Sequence, residues 1–323
     1  MMKLRCWVEI SRGRLAENYG HLCRAVGEGV QVMPVVKADA YRHGATEVSR
    51  TLVAEGCRWL AVSSVEEGVA LRRANIDARI LVMGGVLPWE HDTVRECELT
   101  PALHDLADIR AIGKVAYHLK VDSGMGRLGT RATPEEIVAA VQAGGVERLE
   151  GLMTHFASSA DFSSPQTDLQ IEAFQRVREA LAAAGITPRF THLSSTNPIV
   201  LPRERTWRNL VRPGLALYGY WSPGKEAPRP SLEVAPVLTW KASVVLIKEI
   251  PRGTPVGYGA LYWAQRDMRI AVVGIGYADG LPHRLSNKGR LIAGGRYVPI
   301  VGAVSMDLTT IDVTNVPGLQ VGD

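Results

Sequence analysis

Cysteine is scarce: Cys6, Cys23, Cys57 and Cys97 are the only four in 323 residues, and they stand far apart. None forms a C-x-x-C pair or has a histidine pattern beside it. This argues against a zinc site and against a disulfide-stapled secreted scaffold, and it leaves buried free thiols as the expectation. Long apolar runs are also missing. No uncharged stretch approaches the roughly 18 residues of a membrane span. The start, Met1 to Ile10, passes straight into Ser11-Arg12-Gly13 without the apolar core and small-residue cleavage site of a secretory leader. A cytoplasmic protein with no membrane partner is expected. Charge of one sign is not in excess: 37 Lys and Arg against 33 Asp and Glu leave a formal +4, which implies no polyanion partner. Arg203 to Arg208, with Trp207, lacks a wider basic stripe and reads as a solvated loop, so nucleic acid is not expected either. There is no low-complexity tract.

What is present is material for a large core. Residues of the AVILMFWYC set make up 46% and charged residues 22%, too hydrophobic for a disordered chain and too mixed for a membrane protein. The length suits one α/β barrel with an appendage, or two ordinary domains. From about Val30 to Tyr220, short apolar runs alternate with longer amphipathic segments, as when parallel strands are joined by crossover helices. Strands are predicted at Val32 to Val36, Trp59 to Val62, Ile80 to Met83, Leu99 to Leu103, Tyr117 to Val121, Leu149 to Met153, Arg189 to Leu193 and Leu210 to Tyr218. Helical patterns lie between them, at Ala45 to Ala54, Val65 to Ala74, Pro134 to Ala143 and Ser164 to Ala184. About eight βα units predict an α/β fold, a closed (β/α)8 TIM-type barrel. Ser222 to Pro230 is rich in Pro and Gly and reads as a linker. Beyond it, Val237 to Ile250, Arg269 to Ile275 and Tyr297 to Val313 are β-rich, so a mostly-β domain should follow. The expected domains are 1–228 and 229–323.

Barrel enzymes carry their chemistry at the C-terminal ends of strands. That rule selects Lys37, Lys120 with Asp122 to Arg127, His155, Ser194 to Asn197, and Arg212 with Tyr218. Lys37 leaves an apolar strand in VVKADAYRHG. An ammonium there loses solvation, and lowering its pKa to about 7–8 takes roughly 4 kcal/mol of differential interaction and yields the free amine a carbonyl cofactor requires. A snorkelling lysine is the alternative; Tyr41 and His43 nearby suit a phosphate-bearing cofactor. Gly124 to Gly129 spells G-x-G-x-x-G, yet the following helix opens only at Thr133-Pro134-Glu135-Glu136, an N-cap, a first-turn proline and a capping-box acid. A dinucleotide site is therefore rejected; the glycines let a loop approach a ligand while Arg127 points into the mouth. Arg212 and Gly214 lie in NLVRPGLALYG, where a backbone N–H can meet an anion, or where the chain simply turns. In the β region, VGYGA and GYADG set Tyr258 and Tyr277 between glycines, costly in a strand unless the ring is presented in a tight space; aromatic turns are the alternative.

Taken in order, VVKADAYRHG, LKVDSGMGRLG, THFASSAD, VRPGLALYGY, VGYGALY, GIGYADGLP and VGAVSMD make the chain resemble alanine racemases, fold-type III pyridoxal-phosphate enzymes, from end to end. The resemblance implies that Lys37 holds pyridoxal 5′-phosphate and acts as base on one face of the substrate Cα, with Tyr258 of the partner subunit serving the other face. It implies that Tyr41, Thr196, Gly214 and Leu215 hold the phosphate, with Ser195 beside them. Arg127 would bond the phenolic oxygen and help with the substrate carboxylate. Arg212 would face the pyridine nitrogen and disfavour its protonation. His155 would pack behind the ring and link Arg212 to Tyr258. Tyr277 and Met306 of the partner would line the entrance. Lys120 matches a position often carbamylated in the family. No metal is implied. Two departures stand out: His192 to Asn197 has Ser and Thr where many members carry Asn and Ser, and the chain stops at Val321-Gly322-Asp323, where members continue through a segment that closes the β domain. A truncated β domain with weaker cofactor affinity is therefore expected.

The implied activity is a homodimeric interconversion of L- and D-alanine for peptidoglycan supply. A racemase for serine or several amino acids is an alternative. A decarboxylase on the same cofactor would want an acidic partner where Arg212 stands. A non-catalytic cofactor carrier would lack both the β domain and Tyr258.

Overall fold

A computed structural model describes residues 4–323. The chain divides into two units: one is Ser11–Val237, and the other joins the N-terminal residues through Ile10 to Leu238–Asp323.

The larger unit is a parallel barrel. Strands β2 (Gln31–Val32), β3 (Trp59–Val62), β4 (Arg79–Val82), β5 (Thr100–Leu103), β6 (Tyr117–Lys120), β7 (Leu149–Met153), β8 (Phe190–His192) and β9 (Leu210–Val211) follow one another in the sequence. β3 to β8 are neighbours in sequence order, and β2 pairs with β9. A parallel bridge from Val35 to Ala61 joins the continuation of β2 to β3, and Arg212 N–H donates to Ser194 O at 2.9 Å beyond β8. These two links close the ring. Met33, Trp59, Ala61, Leu81, Ala102, Met153, Phe190 and Leu210 fill its interior as one apolar cluster. The register between β6 and β7 slips between Tyr117 and His118, which sets Glu150 out of step with its neighbours.

The crossover helices sit where period and caps place them. The helix Pro134–Gly144 starts on a Thr133 capping box, and Val65–Arg73 starts on a Ser64 cap. Several elements differ from expectation, among them the strand predicted at Val32 to Val36, which is strand only over Gln31–Val32 with a single bridge at Val35. Leu210 to Tyr218 is strand only over Leu210–Val211: Pro213 has no N–H to continue the ladder, and Leu215–Tyr218 winds into a 3₁₀ turn ended by Gly219 at φ 93°. A helix at Arg12–Val26, capped by Ser11 and burying Leu15, Tyr19, Leu22 and Val26, precedes the first barrel strand.

The expected division after residue 228 also shifts. β1 (Cys6–Ile10) pairs antiparallel with β10 (Leu238–Ala242), Cys6 opposite Ala242, so the N-terminal strand belongs with the β unit. The Pro/Gly-rich stretch is no linker, because Lys225 N–H donates to Ala160 O and Ser231 N–H to Val200 O, both at 2.9 Å, fastening it to the barrel.

In the β unit, β11 (Val244–Ile250), β14 (Met268–Val273) and β17 (Thr309–Asp312) form a three-stranded antiparallel sheet with β14 central. β12 (Pro255–Val256) with β13 (Tyr262–Trp263), and β15 (Arg290–Ala293) with β16 (Arg296–Pro299), form two hairpins. The second turns on Gly294 and Gly295, both at positive φ, a glycine pair suited to that geometry. All four cysteines are free, but only Cys57 is fully buried; the other three are half-buried. Among the described residues no helix is long and apolar enough to cross a membrane, and no group of three or more His, Cys, Asp and Glu is placed to hold a metal ion.

Candidate active site

A cavity of about 570 Å³ opens at the C-terminal ends of the barrel strands, lined by Lys37, Tyr41, Lys120, Arg127, His155, Ser195, Thr196, Arg212, Gly214 and Leu215 among others. Of the barrel residues selected from the sequence, Lys37, Lys120, Arg127, His155, Ser195, Thr196, Asn197 and Arg212 meet at this one place, whereas Asp122 to Gly126, Ser194 and Tyr218 do not line it.

Lys37 and Tyr41 reach this wall through an unusual backbone. Ala38, Asp39, Ala40 and Tyr41 all lie in the left-handed region, at φ 52–54°. This single left-handed turn costs non-glycine residues roughly 1–2 kcal/mol each. Polar contacts to the backbone hold it: Glu67 accepts from Ala38 N–H at 2.6 Å and from Ser63 N–H at 2.7 Å, and Asp39 accepts from Ala45 N–H at 2.7 Å. Strain of this kind persists where surrounding structure over-determines it, and functional sites are where it clusters. Replacing exposed Ala38 by glycine should relieve one strained residue, raising unfolding free energy by about 1 kcal/mol after the entropy of the freer unfolded chain is deducted. A lower denaturant midpoint for A38G would mean the turn is not left-handed in solution.

Arg212 sits in the floor, fully enclosed. Its Nη1 donates to His192 Nδ1 at 2.7 Å and to His192 O at 3.0 Å; its Nη2 donates to Thr154 O at 2.7 Å and Leu193 O at 3.2 Å, and lies 3.4 Å from His155 Nδ1. Burial pushes this guanidinium down to about 9, which still leaves it cationic at neutral pH. Burial, reinforced by Arg212, Lys120, Arg127 and Lys37, drives His155 down to about 3, so its imidazole is neutral. Burial and the Arg212 and Arg127 charges bring Lys120 down to about 8. Lys120 is thus a second amine on the cavity wall with an appreciable neutral fraction.

The same cavity holds a candidate anion cradle at Thr196 and Gly214. Thr196 Oγ1 accepts from Gly214 N–H at 3.1 Å and from Ala216 N–H at 3.2 Å, which leaves the hydroxyl proton free to point outward. A Cβ on Gly214 would lie 2.4 Å from Tyr41 Oη, so only glycine lets the phenol rest on this backbone. Leu215 is exposed beside it.

The loop carrying Arg127 is built as the glycines imply. Asp122 Oδ1 accepts from the N–H groups of Gly124, Met125 and Gly126 at 3.2, 2.9 and 2.9 Å. Gly124, Gly126 and Gly129 all have positive φ, and a Cβ on Gly129 would strike Asp122 N at 2.7 Å. The helix begins only at Pro134, so no helix N-terminus faces the glycines. Gln170, buried on the helix Gln166–Ala183, ties this loop to the next: Nε2 donates to His155 O at 3.0 Å and Oε1 accepts from Ala157 N–H at 2.9 Å.

In the β unit, Tyr258, Tyr277 and Met306 line one cavity of about 540 Å³ with His283. Tyr258 is 77% exposed, presented between Gly257 and Gly259, both at positive φ. Tyr277 N–H donates to Ser305 O and Ala278 N–H to Met306 O, each at 3.0 Å. A Cβ on Gly276 would lie 2.1 Å from Met306 O, so glycine is what permits the close approach of these two loops.

Residues 10–223 match the family model of the alanine racemase N-terminal domain and residues 237–323 that of the C-terminal domain. The chain belongs to the alanine racemase family. An alanine racemase of Halothermothrix orenii is 38% identical over 98% of this chain and 85% of its own length. The solved alanine racemase of Clostridium difficile 630 superposes with a TM-score of 0.90 at 29% identity, covering all of this chain and 86% of that one. That of Bartonella henselae, solved with covalently bound pyridoxal phosphate, gives 0.83 at 29% identity over 99% and 89% of the two chains. As a member of this family the protein is an isomerase, and its (β/α)8 barrel with a β-rich C-terminal domain is the fold of its alanine racemase relatives.

Two residues behind the cavity floor were not selected from the sequence. His192, which accepts from Arg212, and His118, two residues before Lys120 on β6, both lie inside the barrel. The period-two spacing from His118 to Lys120, which puts both on one strand face, was the available signal.

Proposed function

We propose that this protein interconverts L- and D-alanine with pyridoxal 5′-phosphate as cofactor, using Lys37 and the partner subunit's Tyr258 as the two bases in a homodimer. The observation that carries this is the cavity itself: an amine, a hydroxyl-and-backbone anion cradle and an enclosed arginine converge on one space. The residues present fit the group. The Tyr41 and Thr196 hydroxyls and the backbone at Gly214 and Leu215, with Ser195 alongside, would take the phosphate, and the Lys37 Nζ would take the carbonyl carbon.

When bound, the cofactor supplies a conjugated electron sink that acidifies the substrate Cα–H. Racemisation then needs a proton removed on one face and another delivered on the opposite face. Lys37 Nζ would move the proton on one face and Tyr258 Oη on the other, each changing protonation state in turn. Arg127 would bind the substrate carboxylate and the cofactor's phenolic oxygen. Arg212, held to carbonyls and to a neutral imidazole, would present a cation to the pyridine nitrogen and disfavour its protonation, which limits how far negative charge spreads. A decarboxylase would want the reverse, so Arg212 favours the racemase. His155 would pack behind the ring, and Tyr277 and Met306 of the second copy would line the entrance. The product would serve peptidoglycan synthesis in the cytoplasm.

Incubation of enantiopure L-alanine with the protein in deuterated water should give D-alanine carrying deuterium at Cα; ethylamine instead would identify a decarboxylase. Y258F should lose about 10²–10⁴-fold in turnover. Mixed with K37A it should recover roughly one quarter of wild-type turnover, since half of randomly assembled dimers are hybrids with one intact site each. Confirmed hybrids with no recovery would rule out shared sites.

A further inference from the structure

A TIM barrel interior is normally filled by apolar branched side chains, yet a line of polar groups runs down this one from Arg212. Arg212 Nη1 donates to His192 Nδ1 at 2.7 Å, His192 Nε2 lies 2.8 Å from His118 Nδ1, and His118 Nε2 faces Glu150 Oε2 at 3.9 Å. Glu150 in turn forms a two-pronged pair with Arg79, whose guanidinium stacks 4.1 Å from the Trp59 ring centre. His118 and His192 are completely enclosed.

The line is built rather than incidental. A Cβ on Gly151 would lie 2.4 Å from the His118 ring, so β7 carries glycine where the imidazole needs room. The register slip at the start of β6 and β7 leaves Glu150 out of the regular alternation, and a bulge of this kind re-aims a side chain. Its carboxylate thereby comes beneath His118.

The donors along the line have only one consistent order. Arginine cannot accept, so His192 Nδ1 carries no proton and His192 Nε2 does. His192 Nε2–H then donates to His118 Nδ1, which leaves His118 with its proton on Nε2, where it makes no hydrogen bond and meets the anionic Glu150 as a charge at 3.9 Å. Burial and the Arg79 and Arg212 charges hold His118 neutral, down to about 3.

We infer that His118 and Glu150 are positioning residues for Arg212: acting through His192, they fix one proton pattern and one orientation of the guanidinium at the cavity floor. A carboxylate placed directly on Arg212 would neutralise it. Two imidazoles interposed between them keep its acceptor in place and its charge available at the site. The functional consequence rests on the proposal that Arg212 faces the cofactor ring; the proton pattern does not.

Histidine ¹⁵N NMR of the full chain, with and without pyridoxal phosphate, tests the pattern directly. His118 and His192 should both show an unprotonated Nδ1 and a protonated Nε2, their signals assigned from the variants. A proton on Nδ1 of either ring, or an imidazolium, overturns the inference whether or not the protein racemises alanine. H118N places an amide oxygen near the lost Nδ1 and should keep the His192 signature and kcat within about twofold. H118F fills the slot without an acceptor. It should move the His192 Nε2–H resonance upfield and lower kcat about tenfold or more with KM nearly unchanged, as expected when a catalytic group is misplaced. Equal kcat in H118N and H118F would show that the ring only fills space. Should H118F not fold, the wild-type tautomers and the H118N signature still decide the question.

Discussion

K37A is expected to lose alanine racemisation by about 10⁴-fold or more, because it removes both the attachment point for the cofactor and one of two proton carriers. The prediction is sharp because the cavity holds two amines. Lys120 lines the same wall as Lys37, and burial has already lowered it to about 8. On amine availability alone Lys120 would be a fair candidate. Its surroundings argue otherwise: Arg212, Arg127 and Lys37 all bear on it, whereas Lys37 stands one left-handed turn from Tyr41, which rests on the Gly214 backbone of the anion cradle. A phosphate in that cradle and a carbonyl at the amine have to be spanned by one small molecule, and Lys37 is tied to the cradle by four residues of rigid backbone. Incubation with pyridoxal phosphate, reduction with borohydride and peptide mapping should label Lys37 in the wild type and nothing comparable in K37A. A label on Lys120, or residual turnover within a hundredfold of wild type, would reassign the attachment.

The barrel was legible because its signals are local. Apolar runs of four or five residues end in Lys37, Lys120, His155 and Arg212, and the rule that barrel chemistry lies at strand exits gathers residues nearly two hundred positions apart into one cavity. What escaped depends on partners distant in sequence. β1 joins the β unit only because Leu238–Ala242 is there to pair with it, and nothing in Cys6–Ile10 names that partner. The helix Arg12–Val26 has both a Ser11 cap and buried residues at helical spacing, but its many charged residues weaken the apolar signal.

Within the site, residue types were readable and backbone conformation was not. No glycine or asparagine marks Ala38 to Tyr41 as left-handed; the partner that holds the turn is Glu67, on a different helix, which bridges Ala38 N–H to Ser63 N–H at the end of β3. The polar line beneath Arg212 is hidden for a similar reason. His118 sits in a run that reads as apolar strand, and Glu150 comes beneath it only through a register slip that no pattern of residues announces.

Acidification should destabilise the barrel steeply, and the enclosed histidines say in which range. Burial holds His118 and His155 at about 3 and His192 well below its ordinary value, while an unfolded chain titrates histidine near 6.5. Between these values the unfolded state binds protons that the native state refuses. The slope of unfolding free energy with pH is therefore positive in this window. The stabilisation is fully present above about pH 6.5 and is lost as pH falls below it. At pH 5.5 each neutral imidazole costs about 1.4 kcal/mol, so three cost roughly 4 kcal/mol, a large share of the 5–15 kcal/mol typical of a folded protein. Urea unfolding at pH 7.5 and pH 5.5 should show this fall, and H118N, lacking one of the three, should lose about 1.4 kcal/mol less over the same interval. Equal stability at the two pH values would mean that the imidazoles take up protons in the folded barrel. A charged His192 could no longer accept from Arg212, so the same result would also break the line of donors that holds the guanidinium at the cavity floor.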